Sequence, residues 1–237
     1  IFEDMKPKLS IITVVYNAAD LLEGTIQSVA AQQAGNWEYL VIDGASTDGT
    51  LEVIQQNSTS ITRWVSEPDK GLYDAMNKGL DMAQGEFVWF LNAGDHLADP
   101  DTLEKVLAFL TQDVDVVYGE VMLVDDARNQ LGTRSEITAQ QLPKNLDWKS
   151  LRRGMVVCHQ AFIPRRSLAP HYIPSNLTAD IDWVIRILKK SRKTVNTHLV
   201  LAEYLTGGVS KKRHQQSLRD RYQVLRHHYG WWSNIWS

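Results

Sequence analysis

The alternation of short apolar runs with helix-like segments is the feature that most constrains how this 237-residue chain can fold. Leu9 to Tyr16 is almost entirely apolar and rich in β-branched residues, which is typical of a strand buried on both faces of a parallel sheet. Apolar residues then recur at helical spacing from Leu21 to Ala30. The same alternation continues to Tyr118, and it predicts an α/β domain built on a mostly parallel, Rossmann-like sheet flanked by helices. The other predicted strands are 37–42, 61–65, 86–91 and 115–118, and the other helices begin near residues 50, 71 and 101.

The pattern changes after Gly119. Residues 120–131 predict a small antiparallel pair of strands, and residues 181–190 predict a helix with one apolar face. The sequence contains no repeat or clear linker, so we expect residues 1–210 to form one domain. Residues 211–237 are expected to form a separate helical tail that is basic and rich in Trp.

Composition narrows the classes of protein that fit. A single cysteine, Cys158, excludes an internal disulfide and a zinc cluster of cysteines, and it favours a reducing compartment. No run of 18 apolar residues is present, and the first residues lack the apolar stretch of a signal peptide. We therefore expect a cytoplasmic protein. The formal net charge of −3 argues against general nucleic-acid binding.

The tail differs in charge from the rest of the chain. Six Lys or Arg follow Gly207, and they are followed by clustered Tyr and Trp residues. This combination predicts a helix that lies on the anionic inner face of the cell membrane. Alternatively, the Trp side chains pack on the domain itself or on a second copy in a homodimer.

Acidic residues follow three of the predicted strands, at Asp43, Asp69 and Asp95. Ligands of such sheets bind beyond the carboxyl ends of the strands. Asp95 suits Mg²⁺ or Mn²⁺ bound to a diphosphate, which needs only one or two protein carboxylates, although it could instead cap a helix. Gly94 would let the diphosphate approach closely. Asp43 could recognise the base or ribose of a nucleotide, or it could serve its own backbone in an Asx turn.

Two further acidic segments lie at predicted helix starts. Asp69 and Lys70 precede a helix N-terminus that could hold an anion, although acids there could simply favour the helix dipole. Asp180 and Asp182 are two residues apart and must point to different sides of their helix, so at most one of them is catalytic. That carboxylate could take a proton from an attacking hydroxyl, or it could cap the helix. We expect the other to pair with Arg186.

Taken together, five segments in order resemble the family 2 glycosyltransferases, which have the GT-A fold. The resemblance runs from about residue 8 to about residue 210, and it is nearest to the bacterial enzymes that build exopolysaccharide, capsule or O-antigen units. It implies an inverting enzyme that transfers a sugar from a nucleoside-diphosphate sugar, expected to be a UDP-sugar, to a hydroxyl of a glycan or polyprenyl-linked glycan. The five segments are 10–17, 41–50, 66–79, 85–95, and 158–161 together with 179–182.

The resemblance also implies roles for individual residues. Asp180 would be the general base. Asp95 would hold a divalent metal, Mn²⁺ or Mg²⁺, as the last residue of Asn-Ala-Gly-Asp where the family usually has Asp-x-Asp. His159 and Gln160 would lie on the acceptor side, and residues 206–210 resemble a flexible loop near the donor diphosphate. The residues expected to bind the nucleotide are Val14, Tyr16, Asp43, Asp69, Lys70, Asn77 and Gly94.

Two other functions remain open from the residues alone. Ser46 lies on a predicted strand–turn–helix in a segment one glycine short of a G-x-S-x-G nucleophile elbow, which would indicate a serine hydrolase. A catalytically idle domain that binds a nucleotide sugar, or that supports a synthase complex, is the alternative outside enzymes. A dinucleotide dehydrogenase fits poorly, because residues 17–20 replace the glycine-rich turn that such enzymes need.

Overall fold

A computed structural model describes residues 6–207 and 214–230. Its first sheet contains four parallel strands in the order β3-β2-β1-β4. All seven residues of the central strand β1 are buried, because Ile12 and Val14 pack into one half of the core while Leu9 and Ile11 pack into the other. This double burial explains the continuous apolar run in the sequence. The strands are β1 (Leu9–Val15), β2 (Trp37–Asp43), β3 (Arg63–Ser66) and β4 (Phe87–Phe90).

Helices cover both faces of this sheet, as the sequence predicted. The apolar residues of α1 and α4 pack with Leu9 and Ile11, and those of α3 pack with Ile12 and Val14. A Cβ added to Gly79 of α3 would lie 2.5 Å from Ile12 Cγ2, so the absence of a side chain there allows the helix to approach the sheet closely. The helices of this half are α1 (Ala19–Ala30), α2 (Thr50–Gln56), α3 (Leu72–Met82) and α4 (Thr102–Phe109).

The second sheet is mixed. Its order is β5-β9-β6-β7, with β8 also pairing β6; β6 and β9 are parallel, whereas the other pairs are antiparallel. A bridge between Phe87 and Arg165 joins its edge to β4 of the first sheet. The strands are β5 (His96–Leu97), β6 (Val116–Val124), β7 (Gln130–Thr133), β8 (Phe162–Pro164) and β9 (Thr194–Leu205).

The predicted antiparallel pair after Gly119 is confirmed as β6 and β7. The predicted strand 115–118 differs, because it is the first part of β6 and does not extend the parallel sheet. Gly119 lies inside β6 and ends no element. A Cβ at this position would lie 2.7 Å from both Leu199 O and Thr197 Oγ1, so the glycine reflects the close approach of β9.

Three more helices complete the described part: α5 (Arg134–Ile137), α6 (Ala179–Leu188) and α7 (His214–Tyr229). Helix α7 packs on the domain through the buried residues Val224 and Leu225. Its Asp220 accepts a hydrogen bond from Leu177 N at 2.9 Å, just before α6. The predicted boundary at 210/211, the basic residues 211–213 and the Trp-rich residues 231–237 lie outside the described residues. Within the described ranges, no helix is long and apolar enough to cross a membrane.

We expect Gly85→Ala to reduce the free energy of unfolding by about 1–3 kcal/mol, the usual cost of overpacking. A Cβ at residue 85 would lie 2.5 Å from Ser10 N and 2.7 Å from Leu9 C, where the backbone of β1 cannot move aside. Gly35→Ala is the matched control, because no heavy atom lies within 4 Å of its added Cβ. Urea unfolding of both variants tests this, and equal stabilities of the two would contradict the packing argument.

Candidate active site

The carboxyl ends of the parallel strands bring most of the predicted donor-site residues to one edge of the sheet. Gly44 N donates to Val15 O at 3.0 Å, and Glu67 N donates to Asp43 O at 3.0 Å, so the ends of β1, β2 and β3 are adjacent. Val14 belongs to this edge, but its side chain packs in the core. Any contact of Val14 with a nucleotide could therefore come only from its backbone.

Tyr16 and Asp69 form an exposed corner above Gly44. The Tyr16 ring is 65% exposed, which leaves one face of an aromatic side chain open at the end of the central strand. A Cβ added to Gly44 would overlap Asp69 Oδ2 and would lie 3.2 Å from the Tyr16 ring. The glycine thus makes room for the Asp69 carboxylate beside the aromatic ring.

Asp43 is fully buried, and its carboxylate serves its own loop and the neighbouring strand. It accepts hydrogen bonds from Ser46 Oγ at 2.5 Å, Ser46 N at 3.1 Å and Ser66 Oγ at 2.6 Å. These contacts correspond to the alternative in which Asp43 organises its turn, and its binding to a nucleotide stays a prediction. They also bear on Ser46, because no histidine hydrogen-bonds this hydroxyl within the described residues, and a serine hydrolase needs such a base.

Lys70 and Asn77 differ in how far they are available to a ligand. Lys70 is exposed, and its backbone N donates to Asp74 Oδ2 at 2.9 Å before α3. Asn77 instead uses its amide on the backbone of Tyr172, accepting from N at 2.7 Å and donating to O at 3.0 Å. The Asn77 side chain therefore joins α3 to the segment before α6, and its contact with a nucleotide stays a prediction.

Asp95 is buried in the loop after β4, on the other side of β1 from Asp43. It accepts hydrogen bonds from Leu205 N at 3.0 Å and from Gln160 Nε2 at 2.9 Å. Burial raises the pKa of Asp95 to about 7, while these hydrogen bonds and the nearby charge of Arg128 lower it. Asp95 caps no helix, because α4 begins only at Thr102.

The chemistry around Asp95 fits a hard divalent cation. Each Asp95 oxygen accepts one hydrogen bond from a side chain or from β9 and so has a further lone pair available. Asn92 Oδ1 is also buried, and it has no hydrogen-bond partner within the described ranges. No group of three or more His, Cys, Asp or Glu in the described chain could enclose a metal ion. Phosphate oxygens and water would have to complete the coordination, as is usual for Mg²⁺.

Asp180 lies in the first turn of α6, beside buried aromatic rings. Its Oδ1 accepts from Ile181 N at 2.9 Å and lies 3.3 Å from the Tyr73 hydroxyl. Burial raises the pKa of Asp180, and these hydrogen bonds oppose the rise. Tyr73 stacks on Tyr172 with ring centroids 5.4 Å apart, and Tyr172 stacks on Trp183 at 4.7 Å. The carboxylate is therefore held by a rigid aromatic support.

Asp182 has the separate role that its spacing indicated. Its Oδ2 lies 2.6 Å from Arg186 Nε, which confirms the predicted pair within α6. Its Oδ1 lies 2.7 Å from His228 Nε2 of α7, a contact that the sequence did not suggest. Asp182 thus joins two helices, while Asp180 is directed toward Tyr73 of α3.

His159 and Gln160 have different neighbours, and their predicted place on the acceptor side stays a prediction. His159 is buried, its Nε2 lies 2.7 Å from the Tyr172 hydroxyl, and burial lowers its pKa to about 4. As a neutral ring, it therefore contacts the aromatic cluster formed by Tyr73, Tyr172 and Trp183. Gln160 instead donates to Asp95, because the short helical turn that carries both residues points its amide toward β9.

These two consecutive residues connect the surroundings of Asp95 with those of Asp180. Gln160 contacts Asp95, and His159 contacts Tyr172, which stacks on Tyr73 next to Asp180. Burial raises the pKa of the adjacent Cys158 to about 12, and the charges of Asp95 and Asp180 both add to the increase. The chain of contacts from Asp95 through Gln160, His159, Tyr172 and Tyr73 thus reaches Asp180.

Sequence reasoning missed Tyr73, Tyr172 and Arg128. Tyr73 stands within a recognised segment, but nothing local shows that its hydroxyl meets a residue 107 positions later. Tyr172 and Arg128 lie outside the five segments that carry the family resemblance. Their contacts depend on how distant segments pack together, and the spacing of apolar residues along the sequence does not show this packing.

Comparison with known proteins shows similarity to glycosyltransferases. Two bacterial relatives are the PGL/p-HBAD biosynthesis glycosyltransferase of Mycobacterium bovis (34% identical; 86% of this chain, 79% of the relative) and the putative teichuronic acid biosynthesis glycosyltransferase TuaG of Bacillus subtilis (31% identical; 84% and 79%). Similar solved structures are S. aureus TarS 1–349 in complex with UDP-GlcNAc (TM-score 0.75, 18% identity) and the mannosyltransferase PcManGT of Pyrobaculum calidifontis in complex with GDP-Man and Mn²⁺ (TM-score 0.71, 18% identity).

The similarity covers most of this chain but less of the solved enzymes. The alignments include 93% and 94% of this chain, whereas they include 65% of each of the two solved chains. These solved relatives share the GT-A fold seen here. Residues 10–172 match the family described as Glycosyl transferase family 2. The match spans more than half of the 237 residues, and the chain belongs to this family of glycosyltransferases.

Proposed function

We propose that the protein is an inverting, metal-dependent glycosyltransferase that moves a sugar from a UDP-sugar to a hydroxyl of a glycan or lipid-linked glycan during bacterial surface-polysaccharide synthesis. The observation that carries this proposal is the connection of Asp95 to Asp180 through Gln160, His159 and the aromatic cluster. One carboxylate suits the diphosphate end of a donor, and the other suits the hydroxyl of an acceptor. The names of the bacterial relatives support the surface-polysaccharide context.

The donor end is assigned from exposure and ligand chemistry. Tyr16 offers an open aromatic face for stacking with a base, a contact worth about 1–3 kcal/mol in nucleic-acid complexes. Asp69 lies beside it and can accept hydrogen bonds from the base or ribose. Asp95 and Asn92 would hold a divalent cation, which when bound neutralises charge on the departing diphosphate.

The acceptor end is assigned from the environment of Asp180. A carboxylate with a raised pKa is a stronger base when ionised, so the burial of Asp180 favours proton abstraction. Tyr73 and Ile181 N fix its Oδ1, which keeps the carboxylate in one orientation. The acceptor hydroxyl would lose its proton to Asp180 while its oxygen attacks the sugar opposite the leaving diphosphate. Such an attack inverts the anomeric centre.

A donor screen tests the proposal. The purified protein is incubated with UDP-sugars and GDP-sugars in Mn²⁺, Mg²⁺ or EDTA, and release of the nucleoside diphosphate is measured with and without glycan acceptors. We expect release from a UDP-sugar that requires the divalent ion and increases with an acceptor. Tight UDP binding without release from any donor would favour a catalytically idle scaffold. Release that is equal in EDTA would contradict the metal assignment.

Tyr73→Phe is expected to lower kcat by about 2- to 10-fold, the effect of one ordinary hydrogen bond. It should also move the acid limb of the pH–rate profile to higher pH. Burial raises the pKa of Asp180 and the Tyr73 hydroxyl lowers it, so removal of the hydroxyl raises this pKa further. The base must be ionised, and activity is then lost at a higher pH as the solution is acidified. Tyr172→Phe is the control, because its hydroxyl contacts His159; an equal shift in both variants would contradict the assignment.

We also propose that α7 contacts the cytoplasmic inner face of the cell membrane. Leu218 and Tyr222 are four residues apart, so they share one face of the helix, and they are 50% and 44% exposed next to the exposed Arg219. The test compares sedimentation of the full chain and a Leu218→Ser, Tyr222→Ser variant with anionic liposomes. Equal pelleting of the two would contradict a membrane contact of this face.

A further inference from the structure

The turn between β6 and β7 directs an arginine toward the Asp95 loop. Asp125 accepts hydrogen bonds from Ala127 N and Asn129 N, both at 2.9 Å, and Arg128 between them has a φ of +65°. This left-handed conformation is uncommon for a non-glycine residue, so the tight turn fixes where the side chain leaves the backbone. Arg128 then reaches a residue 34 positions earlier in the chain, Gly94.

One nitrogen of the Arg128 guanidinium, Nη2, has hydrogen-bond partners for both of its N–H groups. Its Nη2 donates to Gly94 O at 2.5 Å and lies 2.8 Å from His96 Nε2. Burial lowers the pKa of His96 to about 4, and the charge of Arg128 lowers it too, so the imidazole is neutral and Nε2 can accept this hydrogen bond. These contacts attach the arginine to the residues on either side of Asp95.

The other end is buried without a partner. Within the described chain, Arg128 Nη1 has no hydrogen-bond partner although almost none of its surface is exposed. A buried donor left unpaired costs about 1–3 kcal/mol, so a group of this kind in a native structure calls for an explanation. Asn92 Oδ1 is in the same condition, and it belongs to the same four-residue motif that Arg128 contacts through Gly94. The two unpaired polar atoms therefore belong to Asn92, inside the motif of Asp95, and to Arg128, which contacts that motif.

We propose that Arg128 binds a diphosphate oxygen of the donor nucleotide through Nη1. This inference rests on the proposed function and adds a specific residue to it. Guanidinium groups bind phosphate oxygens through strong, charge-assisted hydrogen bonds. The motif here has only one acid, Asp95, so the protein offers a single carboxylate to hold a metal ion at the diphosphate. The Arg128 charge would neutralise part of the diphosphate charge directly, whether or not a metal ion is bound.

Binding of UDP, GDP and uridine, measured calorimetrically in Mn²⁺ and in EDTA, tests this inference. We expect Arg128→Gln to weaken the binding of UDP at least 10-fold in both buffers and to leave the binding of uridine within about twofold. The UDP affinity of Arg128→Lys should lie between those of the natural protein and Arg128→Gln, because lysine retains the charge without the planar guanidinium. A loss of affinity for UDP but not for uridine would indicate a contact with phosphate, because a general defect of the loop would weaken both. Measured in EDTA, this loss depends on neither turnover nor a metal ion.

His96→Leu is the matched control. It removes one partner of Arg128 Nη2 and leaves Nη1 in place, so UDP binding should stay within about twofold of the natural protein. An equal loss in His96→Leu and Arg128→Gln would overturn the inference, because the arginine would then act only by shaping the loop. Unchanged UDP binding in both Arg128 variants would overturn it as well, and would leave the proposed function intact. Failure of the natural protein to bind UDP or GDP would refute the proposed function itself.

Discussion

Replacing Asp180 by Asn should reduce sugar transfer by about 100- to 10,000-fold, the range that a positioned general base contributes. The amide keeps the shape of the carboxylate and can still accept from Ile181 N, but it cannot take the proton of the acceptor hydroxyl. UDP affinity should stay within about twofold, since Asp180 is assigned to the acceptor end. Turnover with a matched donor and acceptor, together with UDP calorimetry, measures both quantities.

Asp182→Asn provides the control for that experiment. Asp182 is two residues away on the same helix, but its carboxylate pairs with Arg186 and His228. Its loss should lower the melting temperature, while the folded variant retains transfer within about tenfold. Normal turnover in Asp180→Asn would refute the assignment of the base. Equal losses in the two variants would show that α6 as a whole, and not the Asp180 carboxylate, is required.

Replacing Asp95 by Asn should abolish the dependence of UDP affinity on Mn²⁺ and reduce transfer at least 100-fold. Asp95 is the only acid of its motif, and an amide oxygen is a much weaker ligand for a hard cation than a carboxylate. Calorimetry with UDP in Mn²⁺ and in EDTA measures this directly. A variant that still binds UDP more tightly in Mn²⁺ than in EDTA would place the metal elsewhere.

Asp95→Asn should lower activity, but at higher pH it should increase the free energy of unfolding. Burial raises the pKa of Asp95 from 3.8 to about 7, so without metal the folded protein keeps this proton at pH values where the unfolded chain has lost it. The free energy of unfolding therefore falls as pH rises from about 4 to 7, by roughly 4 kcal/mol for the full difference. Asp95→Asn does not undergo this loss, and urea unfolding in EDTA should show it gaining stability over the natural protein between pH 5 and pH 8. A difference independent of pH would contradict the raised pKa.

The parts of the fold that were predictable depend on local patterns. The parallel strands were visible because both faces of β1 are buried, which produces an unbroken apolar run. The Asp182–Arg186 pair followed from a spacing of four residues on a helix. Gly119 was misleading, because a glycine required by close contact between β6 and β9 looks the same in sequence as one that ends a strand.

The details of the site were less predictable, because they depend on contacts between distant segments. The family resemblance implied that Asn77 binds the nucleotide, and nothing in its segment indicates that its amide contacts the backbone of Tyr172, 95 residues later. Gln160 was expected on the acceptor side, and its amide donates to Asp95, 65 residues earlier, a contact that its own segment does not indicate. Carboxylates at strand ends could be located from sequence; the side chains that orient them could not.

The contacts of α7 have a consequence for how α6 can change over evolution. Asp220, near the middle of α7, accepts a hydrogen bond from Leu177 N at 2.9 Å, and His228, near the end of α7, lies 2.7 Å from Asp182, so α7 contacts both the first turn of α6 and the segment just before it. Replacement of His228 alone would remove a contact of the buried Asp182 carboxylate, and replacement of Asp182 alone would leave the buried His228 side chain without this partner. The two helices should therefore diverge in concert among relatives, although 46 residues separate Asp182 from His228 along the chain.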